Sequence, residues 1–177
     1  MQVFAEKGFE GASLAELTAA MRINRFSMYA TYGNKETLYV KAMETFNDMR
    51  KARVTSLLGG ESARDSLEEL LRDIVERFTD SAHGVCFVTQ APLTSKEASK
   101  ETRDLMAKRR GEVEQAISNR IKKAIKDGEL PKSVSADDLA RFFAVVIQGL
   151  ALQAQHGGTK EELLSVVDVA MERWPKA

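Results

Sequence analysis

Apolar residues recur every three or four positions along most of this chain, and the pattern breaks at short turns carrying glycine, asparagine or proline, as expected of amphipathic helices. Ser13 and Glu16 frame the most informative stretch as a capping box, in which the hydroxyl accepts from an exposed N–H and the carboxylate reaches back to the cap. A helix therefore starts at Leu14, with Leu14, Leu17, Ala20 and Met21 on one face. Arg22 and Asn24 break the period around Ile23, an apolar plug for an elbow, and Asn24 caps a second helix over 25–32. That helix buries Met28 and Tyr32 and leaves Arg25, Phe26, Ser27, Tyr29, Ala30 and Thr31 outward. Gly33 ends it by taking a left-handed conformation at no steric cost, and Asn34 caps the next helix at Lys35. Two helices joined by so short a turn form a helix-turn-helix, whose second member can lie in a DNA major groove.

The rest of the chain follows the same period. Residues 1–7 read as the end of an amphipathic helix, with Val3 and Phe4 apolar and Gly8 as its stop. A long helix over 35–58 turns Leu38, Ala42, Phe46, Met49 and Val54 inward, and Gly59 and Gly60 end it. Residues 63–80 repeat the scheme through Leu67, Leu70, Leu71, Ile74, Val75 and Phe78. The apolar run 85–93 is too short for periodicity to separate strand from buried helix, and its helical surroundings favour a short buried helix. Over 95–127 a stripe of Leu105, Val113, Ile117, Ile121 and Ile125 backs a charged face, which is solvated because Glu112 and Glu114 alternate with bases. A helix over 135–156 and a second capping box, Thr159 with Glu162, lead to the last stripe, Leu163 to Trp174. The expected fold is all-α with about nine helices: a helix-turn-helix head over 1–39 and a helical body over 40–177. The last two helices are apolar on more than one face, and the surplus calls for a partner.

Composition narrows the function. A net charge of +0 argues against a nonspecific nucleic-acid coat but leaves room for a local basic surface, such as Arg22, Arg25, Lys35, Arg50, Lys51 and Arg53. The single Cys86 excludes an internal disulfide framework and fits a reducing cytoplasm. No run approaches the ~20 apolar residues of a membrane helix, and nothing reads as a signal peptide, so a soluble, cytoplasmic protein is expected.

Lys7, Gly8 and Phe9 before the first turn, Ser13 and Leu14 at the helix start, Ile23 and Asn24 at the elbow, Met28 and Tyr29 in the second helix, and Lys35, Glu36 and Leu38 after it form an ordered set. In residues and spacing the set resembles the DNA-binding domain of the TetR family of one-component transcriptional repressors. The resemblance implies that Tyr29 and Lys35 hold phosphates, while Arg25, Phe26, Ser27 and Thr31 face base edges or neighbouring backbone. The chemistry agrees: Lys35 lies in a helix first turn whose N–H groups favour an anion, and a phenol donates to phosphate without a charge. Arg25 suits guanine in bidentate fashion and Phe26 suits a thymine methyl. Two positions depart from the family pattern. Arg22 stands where glycine is usual, and a non-glycine residue there accepts strain of about 1–3 kcal/mol or reshapes the elbow. Phe26 stands where small residues or proline are common, and is either a packing residue or a sign of an altered operator. The family's first helix also begins some ten residues earlier, so the first helix here is expected to be short, with fewer phosphate contacts.

By the same resemblance the body encloses a cavity for a small hydrophobic or aromatic effector, with Phe46, Met49, Phe78, Phe87, Met106, Phe142 and Phe143 as candidate walls, for each of which plain core is the first reading and wall the second. The partner for the final helices is then a second copy of the chain. Candidate interface residues are Phe142, Val145, Val146, Gly149, Leu152, Val166, Val167, Ala170 and Trp174, and the homodimer implies a palindromic double-stranded DNA operator. The expected function is a sequence-specific DNA-binding regulator, a repressor released from its operator by the effector. The alternative is a helical ligand-binding or protein-interaction module that has lost DNA binding, suggested by Arg22, Phe26 and the short first helix. No Gly-rich phosphate loop, Ser/His/Asp order or paired catalytic carboxylates point to an enzyme, and no cofactor is implied. His83 and Cys86 make only a two-ligand start to a metal site, so no metal is expected; a thiol in apolar surroundings is quiet as a redox switch.

Overall fold

The computed structural model describes residues 1–80 and 100–175. Among them are eight helices and no strand: α1 (Gln2–Gly11), α2 (Leu14–Met21), α3 (Arg25–Tyr32), α4 (Lys35–Leu57), α5 (Ala63–Thr79), α6 (Lys100–Asp127), α7 (Ala136–Gln155) and α8 (Lys160–Met171). The expected short helix over 85–93 lies outside the described residues. No described helix is long and apolar enough to cross a membrane. The chain divides into two compact units: α1 to α3 and α4 as far as Arg50 belong to the first, and α5, α7, α8 and the part of α6 beyond residue 109 to the second.

The first unit is closed by aromatic rings. Gly8 has φ 70° and ψ −179°, a conformation a side chain would resist, and it kinks α1 instead of ending it. Past the kink, Phe9 meets Tyr39 edge-on at 5.1 Å between ring centroids, as Phe4 does from before it. Burial in this cluster pushes the Tyr39 phenol up to about 12. The two rings explain why the buried stripe of α4 differs from the expected one. Leu38 is buried as expected, but Tyr39, Met43 and Asn47, spaced four apart, carry the stripe onward. Ala42 and Phe46 are half-buried and Met49 is 64% exposed. Because α1 packs its rings on Tyr39, the buried face of α4 is turned by about one residue.

The second unit is held by one apolar cluster. Val54 and Leu58 join Leu67, Leu70, Leu71 and Val75 of α5, Ile117 and Ile121 of α6, Ala140, Phe143 and Leu150 of α7, and Leu163, Val167 and Ala170 of α8. Helix α5 packs on both α7 and α8, which also pack on each other. Trp174 closes the cluster, its ring centroid 6.1 Å from that of Phe143. One polar knot is buried beside it. Arg120 donates to Glu129 Oε1 at 3.1 Å and to the carbonyls of Gly60 and Glu61 at 3.2 and 3.0 Å, while Glu129 Oε2 accepts from the Ala63 N–H at 2.7 Å. The guanidinium thus ties the start of α5 to the end of α6.

Candidate nucleic-acid interface

The turn between α2 and α3 is built by side chains that satisfy the free N–H groups of each helix start. Ser13 Oγ accepts from the Glu16 N–H at 3.2 Å, and Glu16 Oε2 accepts from the Ser13 N–H at 3.0 Å, completing the capping box. Lys7 ion-pairs with the same carboxylate, which links α1 to α2. The Lys7 ammonium, followed by the Ser13 hydroxyl and N–H, holds the Glu16 carboxyl down at about 2. Asn24 caps α3 by accepting from the Ser27 N–H at 2.8 Å, and Asn34 Oδ1 accepts from the Thr37 N–H at 2.8 Å at the start of α4. Gly33 closes α3 with φ 77°, its N–H donating to the Tyr29 carbonyl at 2.8 Å.

Arg22 takes the strained option. It closes α2 at φ 55° and ψ 40°, the sole non-glycine residue with positive φ among the described residues, and its N–H donates to the Ala19 carbonyl at 3.1 Å. The elbow therefore keeps the left-handed shape that glycine would give it, with an arginine side chain on its outer surface.

This frame sets the orientation of α3. Met28 is fully buried and Tyr32 half-buried under the Lys41 ammonium, which lies 5.4 Å from its ring centroid. The opposite side is open: Arg25, Ala30 and Thr31 are exposed, Ser27 is half-buried, Tyr29 is 46% exposed and Phe26 82%. Phe26 is thus no packing residue of its own chain. Lys35, the first residue of α4, is half-buried, its ammonium 4.8 Å from the Phe9 ring centroid and donating to the Glu10 carbonyl at 3.3 Å. The six expected DNA-facing residues share one unit, and Lys35 is held by α1 as well as by its own helix.

The other expected sites divide between the two units. Phe46 and Met49 belong to the first unit, Phe78, Phe142 and Phe143 to the second. Phe143 is fully buried in core, Phe46 and Phe78 are half-buried, and Met49 and Phe142 are exposed. Phe87, His83 and Cys86 lie outside the described residues, as does the side chain of Met106. Among the described residues, open cavities in the second unit include one of about 730 Å³ beside Leu130, Met171 and Trp174 and one of about 590 Å³ beside Arg53, Leu57 and Arg72; neither of these includes a candidate wall residue.

Among the interface candidates, Val167, Ala170 and Trp174 lie in the apolar cluster of the second unit. Their side chains are buried within their own chain against α5 and α7, and they have little surface to offer a partner. Val146 is half-buried against the same cluster. Phe142, Val145, Gly149 and Leu152 are exposed on α7, and Val166 is exposed on α8 together with Val169, which the apolar stripe of α8 had not singled out. Their spacing of three and four residues makes two outward stripes.

Known proteins carry the same architecture. A profile described as bacterial regulatory proteins, tetR family, matches residues 1–42, and one described as tetracyclin repressor-like, C-terminal domain, matches residues 63–169. The chain belongs to the TetR family. A solved relative is a cysteine mutant of the TetR family transcriptional regulator CifR complexed with a 26 bp double-strand operator DNA: 39% identical, TM-score 0.93, covering 98% of this chain and 92% of that one. The HTH-type transcriptional repressor ComR of Escherichia coli K12 is 26% identical over 180 residues, 99% of this chain and 85% of its own. Reduced NemR of E. coli, 22% identical with TM-score 0.84, shares the fold, over 96% of this chain and 89% of that one. Arg22 and the outward side of α3 both lie within the stretch that the tetR-family profile matches.

Proposed function

We propose that this TetR-family regulator is a transcriptional repressor that binds a palindromic operator as a homodimer, one α3 in each major-groove half-site. The observation that carries the reading is the outward side of α3. Arg25, Phe26, Tyr29, Ala30 and Thr31 stand exposed on a helix whose other side is anchored by a fully buried Met28 and whose start is closed by Asn24. The arrangement offers a guanidinium, a phenol and a hydroxyl to phosphates and base edges without rearranging the unit. The operator complex of CifR supports it, since that protein is alike over nearly the whole chain. Lys35 joins the contact when a phosphate replaces the Glu10 carbonyl as its acceptor.

The second copy docks on the outward apolar stripes of α7 and α8, Phe142, Val145, Leu152, Val166 and Val169, which the chain's own core leaves exposed. The effector is a small hydrophobic or aromatic molecule taken up by the body. It releases the operator to the extent that it binds the DNA-incompetent state more tightly than the competent one.

Selection of duplexes from a random library by the purified chain, followed by footprinting, tests the reading. The expected outcome is enrichment of one palindrome, with two chains per duplex and protection of both half-sites. Absence of any enriched duplex at low salt removes it and leaves the module without DNA binding.

A further inference from the structure

Phe26 is 82% exposed, while Phe4 and Phe9 of the same unit are buried. It is the second residue of α3, in the turn that Asn24 closes, so its backbone is fixed while its ring stays in water. Tyr29 and Ala30, three and four residues further on, are exposed with it and form one face. Ala30 has no side chain beyond Cβ, which leaves Phe26 as the large apolar group of that face.

A phenyl ring fixed in water gains from any surface that dries it. In the major groove the apolar group on a base edge is the C5 methyl of thymine, whereas the other base edges present donors and acceptors that a phenyl ring would dry without pairing. We propose that Phe26 reads a thymine methyl in each half-site, making it a specificity-determining residue of the interface. The inference rests on the DNA-binding reading above and adds what the recognition helix selects. A helix of this kind contacts bases through its N-terminal residues, and Phe26 stands there beside Arg25, so the two split the readout: the ring takes a methyl, the guanidinium a guanine edge or a phosphate.

Deoxyuridine lacks the methyl of thymine and keeps its polar edge. The selected palindrome is therefore synthesised with deoxyuridine in place of thymine, one symmetric pair of positions at a time, and titrated with the full chain and with Phe26→Ala and Phe26→Leu. The proposal expects one thymine position per half-site at which the exchange weakens the unaltered chain about fourfold per half-site, the effect of removing one buried methyl. Phe26→Ala should bind the thymine and deoxyuridine duplexes alike at that position and more weakly than the unaltered chain, and Phe26→Leu should recover part of the sensitivity. Unchanged thermal melting shows that the exposed position leaves the fold intact. Three results overturn the proposal while leaving DNA binding in place: no methyl-sensitive position, the same sensitivity in Phe26→Ala, or a Phe26→Ala affinity equal to that of the unaltered chain. If the unaltered chain selects no duplex, the DNA-binding reading fails and this inference fails with it.

Discussion

The two units are held together by different kinds of contact. In the first, three aromatic rings make the core, and the ends of the helices around α3 are set by short-range polar bonds: the Ser13–Glu16 box, the Asn24 and Asn34 caps and the Lys7–Glu16 pair all span ten residues or fewer. The second is closed by residues far apart in sequence, such as Phe143 against Trp174 and Arg120 against Gly60. Local caps thus orient α3 and leave its outward side free of structural duty, whereas the core of the second unit depends on apolar residues brought together from distant helices.

The contrast predicts a large effect in the second unit. Phe143→Ala removes a fully buried ring from the apolar cluster and should destabilise the chain by about 3–5 kcal/mol in urea unfolding. A loss near zero would mean that the cluster does not hold the unit together. A smaller effect, of opposite sign, is expected at the elbow. Arg22→Gly relieves a left-handed conformation and should raise stability by about 0.5–1 kcal/mol, set against the extra freedom glycine has when unfolded. A drop in stability would show that the arginine side chain contributes more than its backbone costs.

The smallest effect concerns pH. Glu16 titrates at about 2 when folded, below its ordinary 4.5, so its contribution to stability is complete above pH 4.5 and fades as pH falls to about 2. The urea midpoint of the unaltered chain should therefore fall more steeply over that window than that of Glu16→Gln. Equal slopes would remove the Lys7–Glu16–Ser13 group from the account.

The same contrast explains what could be read from sequence. The head was legible because each cap is a pair of residues three apart with a defined donor and acceptor: Ser13 with Glu16, Asn24 with the N–H of Ser27, Thr159 with Glu162 in the body. Helix α3 ran over the expected residues 25–32 for that reason. The outward side of α3 followed from the period alone once Met28 was taken as buried. The turn of α4 was not legible, since it depends on Phe4 and Phe9 reaching Tyr39 from across the Gly8 kink. Arg120 was hidden in a charged run, and its burial is explained by Glu129 together with the carbonyls of Gly60 and Glu61, some sixty residues earlier. Helix α8 misled in the other direction: Val166 and Val167 are neighbours in one apolar stripe, and only packing within the second unit separates the exposed one from the buried one. The strain at Arg22 was visible as a departure at a position where the family usually has glycine.

DNA contact by the outward side of α3 is open to direct measurement. Its most direct test is a fluorescence anisotropy titration of the selected palindrome with the unaltered chain and with Arg25→Ala and Tyr29→Phe, after melting curves confirm equal stability. The account predicts that each variant loses at least about tenfold in affinity, the usual effect of removing one base or phosphate contact. Undiminished affinity in both variants would contradict it.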